Sequence, residues 1–170
     1  MSGVNLRVTL KDDASPAFRR LQQLAADPRL LMAEIGQTLV TNRQLRFETG
    51  TGPDRKPWKP SIRAQRSRGQ TLIDRGLLRE SVVRQPVVSG NSVTLSSNLR
   101  YAAVHEFGAT IRPVRAKALR FALPGGGFAT VKKAVIPARP FMAFDRKDRE
   151  DVMATVRAHI DRLSRGGARA

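Results

Sequence analysis

The strongest constraint on the fold of this chain comes from two prolines, Pro137 and Pro140, in the segment Ile136–Phe141. A proline has no backbone N–H and biases the residue before it toward extended geometry, so this segment cannot be helical. Upstream, Tyr101–Phe107 is apolar enough for one short helix, and Gly108 after it is a typical left-handed helix terminator. We expect these two segments, which lie at the ends of one stretch, to meet in the fold.

The residues between these two segments predict a β-hairpin. Ala118–Pro124 and Phe128–Ile136 read as strands, and Gly125-Gly126-Gly127 separates them. A phosphate-binding loop is not indicated, because such a loop needs a following helix and a Lys-Ser or Lys-Thr pair. We therefore expect the glycines to form a flexible hairpin tip.

Three further runs favour strands. Val4–Leu10 alternates apolar and polar residues, as expected of a half-buried strand. Ser81–Val88 and Ser92–Ser97 flank a Gly-Asn pair and predict a second hairpin. Pro86 places the first of these two strands at an edge or at a bulge.

Two long helices and two shorter ones complete the prediction. Ser15 and Asp27 each precede a proline, a typical start signal, and the helix after Asp27 should run to about Phe47. A short amphipathic helix is expected over Thr71–Ser81. Asp145 is the expected cap of the last helix. The apolar stripe of the helix after Asp27 comprises Leu30, Leu31, Met32, Ile35, Leu39, Val40, Leu45 and Phe47. That of the last helix comprises Val152, Val156, Ile160 and Leu163.

The segment Thr49–Gln70 has no usable periodicity and predicts a loop of about 20 residues, with one short helical piece near Ser61–Arg66. A loop of this length in a compact domain is usually functional or mobile. It contains Trp58, the only tryptophan. Since a lone tryptophan is usually largely buried, we expect it to hold the loop on the core; contact with a partner is the alternative.

Strands and helices segregate along the chain, which predicts an α+β fold. We expect a mostly antiparallel sheet of about five strands packed with two long helices, from which the long loop and a hairpin extend as arms. Residues 1–165 should form one domain that includes the loop at 49–70, and residues 166–170 a frayed tail.

The chain is strongly basic, with 31 Lys and Arg against 14 Asp and Glu and a net charge of +17. Such a charge attracts polyanions and acidic surfaces, although the arginine excess is equally explained by a GC-rich genome. There is no cysteine. No signal peptide is recognisable, and no run approaches the ~18 apolar residues of a membrane span, so we expect a soluble protein with no membrane partner.

The residues offer little for catalysis or metal binding. The two histidines, His105 and His159, are far apart in sequence, and no carboxylate or cysteine cluster accompanies either of them. His105 and Glu106 invite an acid–base reading, but a histidine beside a buried aromatic residue is more often structural. His159 lies among polar positions and should be solvated. We expect no catalytic residue, no metal, no cofactor and no enzymatic activity.

A basic stretch without acids is the best candidate for binding. Between Phe107 and Phe144 there are seven basic residues and no Asp or Glu. These basics either line a passage for duplex DNA, contacting phosphates without reading sequence, or meet acidic surfaces of neighbouring subunits. The candidates are Arg112, Arg115, Arg120, Lys132 and Lys133.

Five features, in their order along the chain, resemble the phage virion morphogenesis family, which contains tail-completion and head–tail joining proteins of Mu-like and P2-like phages. They are Phe47, Pro53-Asp54, Trp58, the segment Leu72–Ser81, and Tyr101–Gly108 followed by Pro137–Phe141. The resemblance covers roughly residues 30–163. Arg55 stands where the family commonly has glycine, and Arg75 where a small residue is usual. The residues that carry the signature are Trp58, Tyr101, His105, Glu106, Phe107, Gly108, Pro137, Arg139, Pro140 and Phe141.

The resemblance implies a structural protein of the virion, placed in the tail or the head–tail neck and assembled in the host cytoplasm. It implies a ring of identical subunits, expected to be a hexamer, with neighbouring neck and tail proteins as partners and non-specific contact with passing genomic DNA. The alternative from another class is a freestanding, sequence-independent nucleic-acid-binding protein.

Overall fold

A computed structural model describes residues 14–123 and 126–165. The helices are α1 (Ala14–Ala26), α2 (Arg29–Thr49), α3 (Ile62–Ser67), α4 (Leu77–Val82), α5 (Ala102–Phe107) and α6 (Arg146–Arg165), with a 3-10 turn at Pro53–Arg55. The strands are β1 (Val87–Ser89), β2 (Ser92–Thr94), β3 (Ala109–Ile111), β4 (Leu119–Ala122), β5 (Phe128–Val131) and β6 (Ala134–Ile136). The expected strand at Val4–Leu10, part of the glycine tip and the tail at 166–170 lie outside the described residues.

The α+β class is confirmed, and every strand pair in the described ranges is antiparallel. The strands form three two-stranded ribbons, β1–β2, β3–β6 and β4–β5, where we expected one sheet of about five strands. The predicted strand Phe128–Ile136 divides at Lys132-Lys133. Its first part pairs with β4, and its second part pairs with β3, the strand that follows Gly108.

The hairpin around Gly90 is present but shorter than predicted, since Val87 pairs with Thr94 and Ser89 with Ser92. Ser81 and Val82 belong to α4 and not to a strand. The predicted helix over residues 71–81 begins only at Leu77, because Gly76 before it has a φ of 80°, outside the helical region.

The two long helices pack against each other, and α1 packs on α6. α2 begins after Pro28 and ends at Gly50, whose φ of 68° closes the helix in left-handed geometry, as the sequence indicates. α1 begins at Ala14, one residue before the expected cap at Ser15. No helix in the described ranges is long and apolar enough to cross a membrane.

The helix faces differ in part from the predicted stripes. Leu30 and Leu45 of α2 are exposed. The predicted apolar stripe of α6 is only half-buried. The buried residues of this helix are instead Asp148 and His159. His159 was expected in solvent, but its Nδ1 lies 2.9 Å from Glu34 Oε2, where α6 meets α2.

The hydrophobic core gathers distant parts of the chain. It contains Phe47, Trp58, Leu78, Val82, Ala102 and Phe141. The Phe47 ring lies 5.6 Å from Trp58 and 5.5 Å from Phe141, centroid to centroid, so one aromatic side chain of α2 joins the long loop to the proline segment. The prediction that Trp58 holds the loop on the core is confirmed.

Gly36 in α2 allows the β1–β2 hairpin to approach. A Cβ at this position would lie 2.6 Å from Pro86 Cγ and 2.8 Å from Val93 Cγ2, closer than carbon atoms can pack. The helix therefore carries glycine at an interior position, where it costs about 1 kcal/mol relative to alanine, and the hairpin gains close contact.

Arg55 lies where the resemblance expects glycine, and its backbone shows why. Its φ is 59°, in the left-handed region that non-glycine residues seldom adopt.

We predict that Arg55→Gly is more stable to unfolding by urea than Arg55→Ala, by about 0.5–1 kcal/mol. Both substitutions remove the same charge, so the difference isolates the backbone. Equal stability of the two variants would show that this conformation costs nothing.

Candidate functional site

The two segments that the sequence predicted to meet do meet. The Arg139 backbone N–H donates to the His105 carbonyl at 2.7 Å, beside the pairing of β3 with β6. A Cβ on Gly108 would lie 2.8 Å from Ala138 N and 2.9 Å from Ile136 O. Glycine is needed there for this approach and for its φ of 74°, but its ψ of 162° is extended and not that of a left-handed helix terminator.

Residues 139–143, here called the anchor segment, have no strand partner, and side chains satisfy their backbone instead. Glu106 Oε2 accepts the backbone N–H groups of Phe141 at 2.7 Å and Met142 at 2.9 Å. Its Oε1 accepts the N–H of Ala143 at 3.1 Å. The carboxylate is thereby committed to three backbone donors. Glu106 is a structural acceptor and not one half of an acid–base pair.

Two arginines of α2 donate to the carbonyls of the same segment. Arg46 Nη1 donates to Phe141 O at 3.2 Å and to Ala143 O at 2.6 Å. Arg43 Nη2 donates to Met142 O at 3.0 Å. Trp58 Nε1 donates to Pro140 O at 2.9 Å. Every backbone polar group from the Pro140 carbonyl to the Ala143 carbonyl thus bonds to a buried or half-buried side chain.

Two carboxylates, Asp148 and Asp145, balance the charge of the two arginines, since Asp145 Oδ2 also lies 2.9 Å from Arg46 Nη2. Asp148 pairs with both arginines. Its Oδ1 accepts from Arg43 Nη1 at 2.7 Å, and its Oδ2 accepts from Arg46 Nη2 at 2.8 Å, with its side chain 1% exposed. Burial alone would raise the pKa of Asp148, but hydrogen bonds from Arg43 and Asn42 hold it below its ordinary value. Burial lowers the pKa of Arg43, and Asp148 opposes that shift.

Asp145 and Asp148 also cap α6 reciprocally, as the sequence predicted for Asp145. The Asp148 N–H donates to Asp145 Oδ1 at 2.8 Å, and the Asp145 N–H donates to Asp148 Oδ2 at 3.1 Å. One carboxylate therefore closes the helix start and pairs with both arginines, which fixes α6 to α2 and to the anchor segment.

Sequence reasoning missed Arg43 and Arg46, because arginine is seldom buried unless it is paired. A signal was present, since Arg43 follows Ile35 by eight residues and Arg46 follows Leu39 by seven, the spacing of one helix face. The acidic partners sit just after the proline segment, at Asp145 and Asp148.

The remaining signature residues divide between this site and the surface. Arg139 is buried and donates through Nε to Lys59 O at 2.7 Å. The Tyr101 ring stands edge-on to His105, with the centroids 5.9 Å apart. Phe107 was expected to be the buried aromatic beside His105, but it is 79% exposed. It follows Glu106 directly on a single helical turn, and Glu106 takes the inward position.

Burial and the nearby Arg139 lower the pKa of His105, which favours the neutral ring. Its Nδ1 is buried without a hydrogen-bond partner. Among the described residues no group of three or more His, Cys, Asp or Glu side chains is placed to hold a metal ion.

Residues 109–136 form the basic arm, in which β3–β6 is the base and β4–β5 the outer ribbon. All five predicted basics are on the arm and exposed, and Arg120 lies over the Phe128 ring at 4.3 Å. The arm also exposes large apolar side chains. These are Ile111, Val114, Phe121, Phe128 and Val135.

The outer ribbon has two unlike faces. In its register Leu119 lies opposite Val131 and Phe121 opposite Ala129, so one face is wholly apolar. The other face presents Arg120 beside Thr130, with Phe128 in the next pair. Among the described residues, β4 and β5 contact mainly each other and not the helices, and Phe121 and Phe128 remain exposed.

Comparison with known proteins identifies the family to which the chain belongs. A model of the phage virion morphogenesis family matches residues 11–161. The Mu-like prophage FluMu G protein 2 of Haemophilus influenzae is 24% identical over 160 residues, which cover 94% of this chain and 98% of that protein. No solved structure matches the chain significantly. The resemblance drawn from the sequence is confirmed at the level of the family.

We predict that Glu106→Gln lowers the free energy of unfolding by about 1–2 kcal/mol and Glu106→Ala by about 3 kcal/mol. Glutamine keeps the shape and one acceptor oxygen but turns an amide donor toward a backbone N–H, whereas alanine leaves all three donors without a partner. Urea denaturation measures both variants, and Glu48→Ala on the exposed face of α2 is the control. A glutamine variant as stable as the wild type would contradict this role.

We predict an acid-sensitive stability that depends on Asp148. Because its pKa is lower in the folded protein than in the unfolded chain, its contribution is complete above pH ~4 and is lost as pH falls through the folded value. Urea denaturation between pH 5 and pH 2 should give a flatter pH dependence for Asp148→Asn than for the wild type. Asp161→Asn on the exposed surface of α6 is the control. An unchanged slope in Asp148→Asn would refute the assignment.

Proposed function

The chain belongs to the phage virion morphogenesis family, and from this premise we propose that it completes the tail or joins the tail to the head. We propose further that it acts as a ring of identical subunits, without enzymatic activity, at the tail end or the neck of the virion. The observation that carries this proposal is the basic arm, which exposes apolar and cationic side chains together.

A projecting arm suits ring assembly. In a ring each subunit offers one surface to the neighbour before it and a different surface to the neighbour after it. An arm that carries an apolar ribbon face can reach across such a boundary and bury that face on the next subunit. The area of the arm then becomes interface, which accounts for large apolar residues that no helix of the same subunit covers.

The attachment of the arm supports the same role. Both strands of the arm's base run directly into the buried cluster of Glu106, Arg43, Arg46 and Asp148. Strand β3 does so through Gly108, and β6 through Pro137 and Pro140. At the cluster, Glu106 and the two arginines of α2 hold the backbone by charge-assisted hydrogen bonds. A load applied to the arm is therefore passed to the long helices and not to a mobile loop.

The exposed basics fit either acidic neighbours or passing duplex DNA. Arg112, Arg115, Arg120, Lys132 and Lys133 have no acidic residue among them on the arm. In the proposed assembly they steer and orient the contact. A freestanding nucleic-acid-binding protein is the competing function, favoured by the same charge, and tight and steeply salt-dependent DNA binding by the isolated subunit distinguishes it.

We predict that Lys132→Glu/Lys133→Glu gives a folded protein that fails to support joining, seen as unjoined heads and tails in lysates. The two lysines lie between β5 and β6 and are exposed to solvent. Reversing their charge therefore changes the electrostatic potential of the arm without disturbing the core. The matched control is Arg84→Glu/Arg100→Glu, an equal charge change on exposed residues outside the arm.

Two measurements decide between the competing functions. Normal joining by the lysine variant, together with nanomolar binding of duplex DNA by the wild-type subunit at physiological salt, would overturn the structural role. Weak DNA binding at low salt decides nothing, because any domain of this charge shows it.

A further inference from the structure

A cavity of about 320 Å³ opens between the long loop, the turn before α4 and the helix α5. Leu72 and Leu77 form part of its wall. Its charged and polar lining includes Arg63, Asp74, Arg75, Tyr101, His105 and Arg139. Neither Arg43 nor Arg46 lines this cavity, and it shares no lining residue with the basic arm.

Arg139 is the unusual group in this cavity. It is 5% exposed, yet none of the ion pairs in the described ranges includes it. Its guanidinium donates to Lys59 O at 2.7 Å and, at the long distance of 3.5 Å, to Pro137 O. A guanidinium has five N–H donors, and a buried one normally faces a carboxylate or another anion. The burial lowers the pKa of Arg139.

The neighbouring charges do not supply that anion. Asp74 is the only carboxylate in the lining, and its side chain is 70% exposed and lies 3.8 Å from Arg63 Nη1. Arg63 is occupied with the carbonyls of Gln70 and Ile73, at 2.5 and 2.6 Å. Arg75 is exposed at the rim. Three arginines against one aspartate leave the cavity positive, and a buried donor faces a space large enough for a side chain.

We propose that this cavity binds a carboxylate side chain from an acidic segment of a partner protein, with Arg139 as the buried donor and Arg75 as the outer one. Leucine side chains in the wall contact the methylene groups of the incoming residue, and the Arg139 guanidinium donates to its carboxylate oxygens. The proposal rests on the proposed function only in taking the partner to be another protein of the virion.

A protein segment fits the cavity better than the other anionic partners. Phosphates of duplex DNA lie on a convex backbone and do not enter a recess whose donor is 5% exposed. A second copy of this chain has 14 acidic residues against 31 basic ones, so it offers few carboxylates to the cavity. A glutamate or aspartate side chain on a flexible segment is narrow enough to reach the buried guanidinium.

The test uses the full chain and NMR spectra of the Arg139 Nε–H and the His105 ring. The probe is the blocked tripeptide Leu-Glu-Leu, and its matched control is Leu-Gln-Leu. We expect saturable shifts of both resonances with the glutamate peptide and none with the glutamine peptide. We also expect a raised His105 pKa in the complex, because the carboxylate bound beside Arg139 places a negative charge in the cavity that His105 also lines. The other charged and polar groups of this cavity include Arg63, Asp74, Arg75 and Tyr101.

Variants connect the binding to the cavity. Arg75→Gln should weaken binding of the glutamate peptide about fivefold, as loss of one partly exposed charge partner. Arg84→Gln removes the same charge outside the cavity and should leave the affinity unchanged. Arg139→Lys should abolish the peptide-induced shift of the His105 ring while the backbone spectrum stays folded. Equal losses in Arg75→Gln and Arg84→Gln would mean that only net charge matters, and would overturn the proposal.

Other occupants give different results. Shifts at Arg139 produced by duplex DNA but not by the peptide would assign the cavity to nucleic acid and overturn the proposal. Shifts that disappear on dilution of the protein alone would assign it to a second copy, with the same consequence. The absence of any shift would overturn it too. None of these results touches the joining assay of the lysine variant, so failure here is distinguishable from failure of the proposed function.

Discussion

The structure depends on how the anchor segment, which has no strand partner, satisfies its backbone hydrogen bonds inside the protein. Pro140 lacks an N–H and Pro137 biases the chain to extended geometry, so neither helix nor ladder is open to residues 139–143. Buried polar groups without partners cost about 1–3 kcal/mol each, and here they bond to Trp58, Glu106, Arg43 and Arg46 instead. These four side chains come from three separate parts of the sequence. The fold closes only when α2, the long loop and α5 are all in place around the segment.

The same cluster explains why the basic arm can project. A two-stranded ribbon is marginal in water on its own, and no helix of the described residues packs extensively on β4–β5. Both strands of the arm's base are held at the root, by Gly108 against Ala138 and by the Arg139 N–H on His105 O. The charge-assisted bonds lie behind that base, where Asp148 joins the arginines to the start of α6. Rigidity is thus concentrated at the root, and the exposed apolar face lies at the far end.

Local signals predicted what local physics decides. Proline and glycine positions indicated the ends of α2, the extended segment and the two hairpin turns, and the lone tryptophan indicated the attachment of the loop. Long-range choices were not accessible in that way. Nothing local determines that β6 leaves β5 to pair with β3, or that Phe107 faces solvent while Glu106 turns inward. Arg43 and Arg46 escaped because hydrophobic patterning counts an arginine as surface, although their spacing places them on the buried face. The cavity around Arg139 brings together residues 61 to 139. Although Tyr101, His105 and Arg139 belong to the signature, no local pattern indicates that they line one recess.

The arginines of this chain fall into groups with different physical demands. Arg43 and Arg46 each bridge a carboxylate and a backbone carbonyl through separate nitrogens of one planar fork. A lysine ammonium is a point charge and cannot span those directions from one position. A GC-rich genome therefore does not account for arginine at these sites, whereas it remains sufficient for exposed positions such as Arg66 and Arg84. The arm uses both Arg and Lys, as expected where charge alone matters. Arg139 has the burial of the first group and lacks its carboxylate, which is why its missing partner is to be sought in another protein.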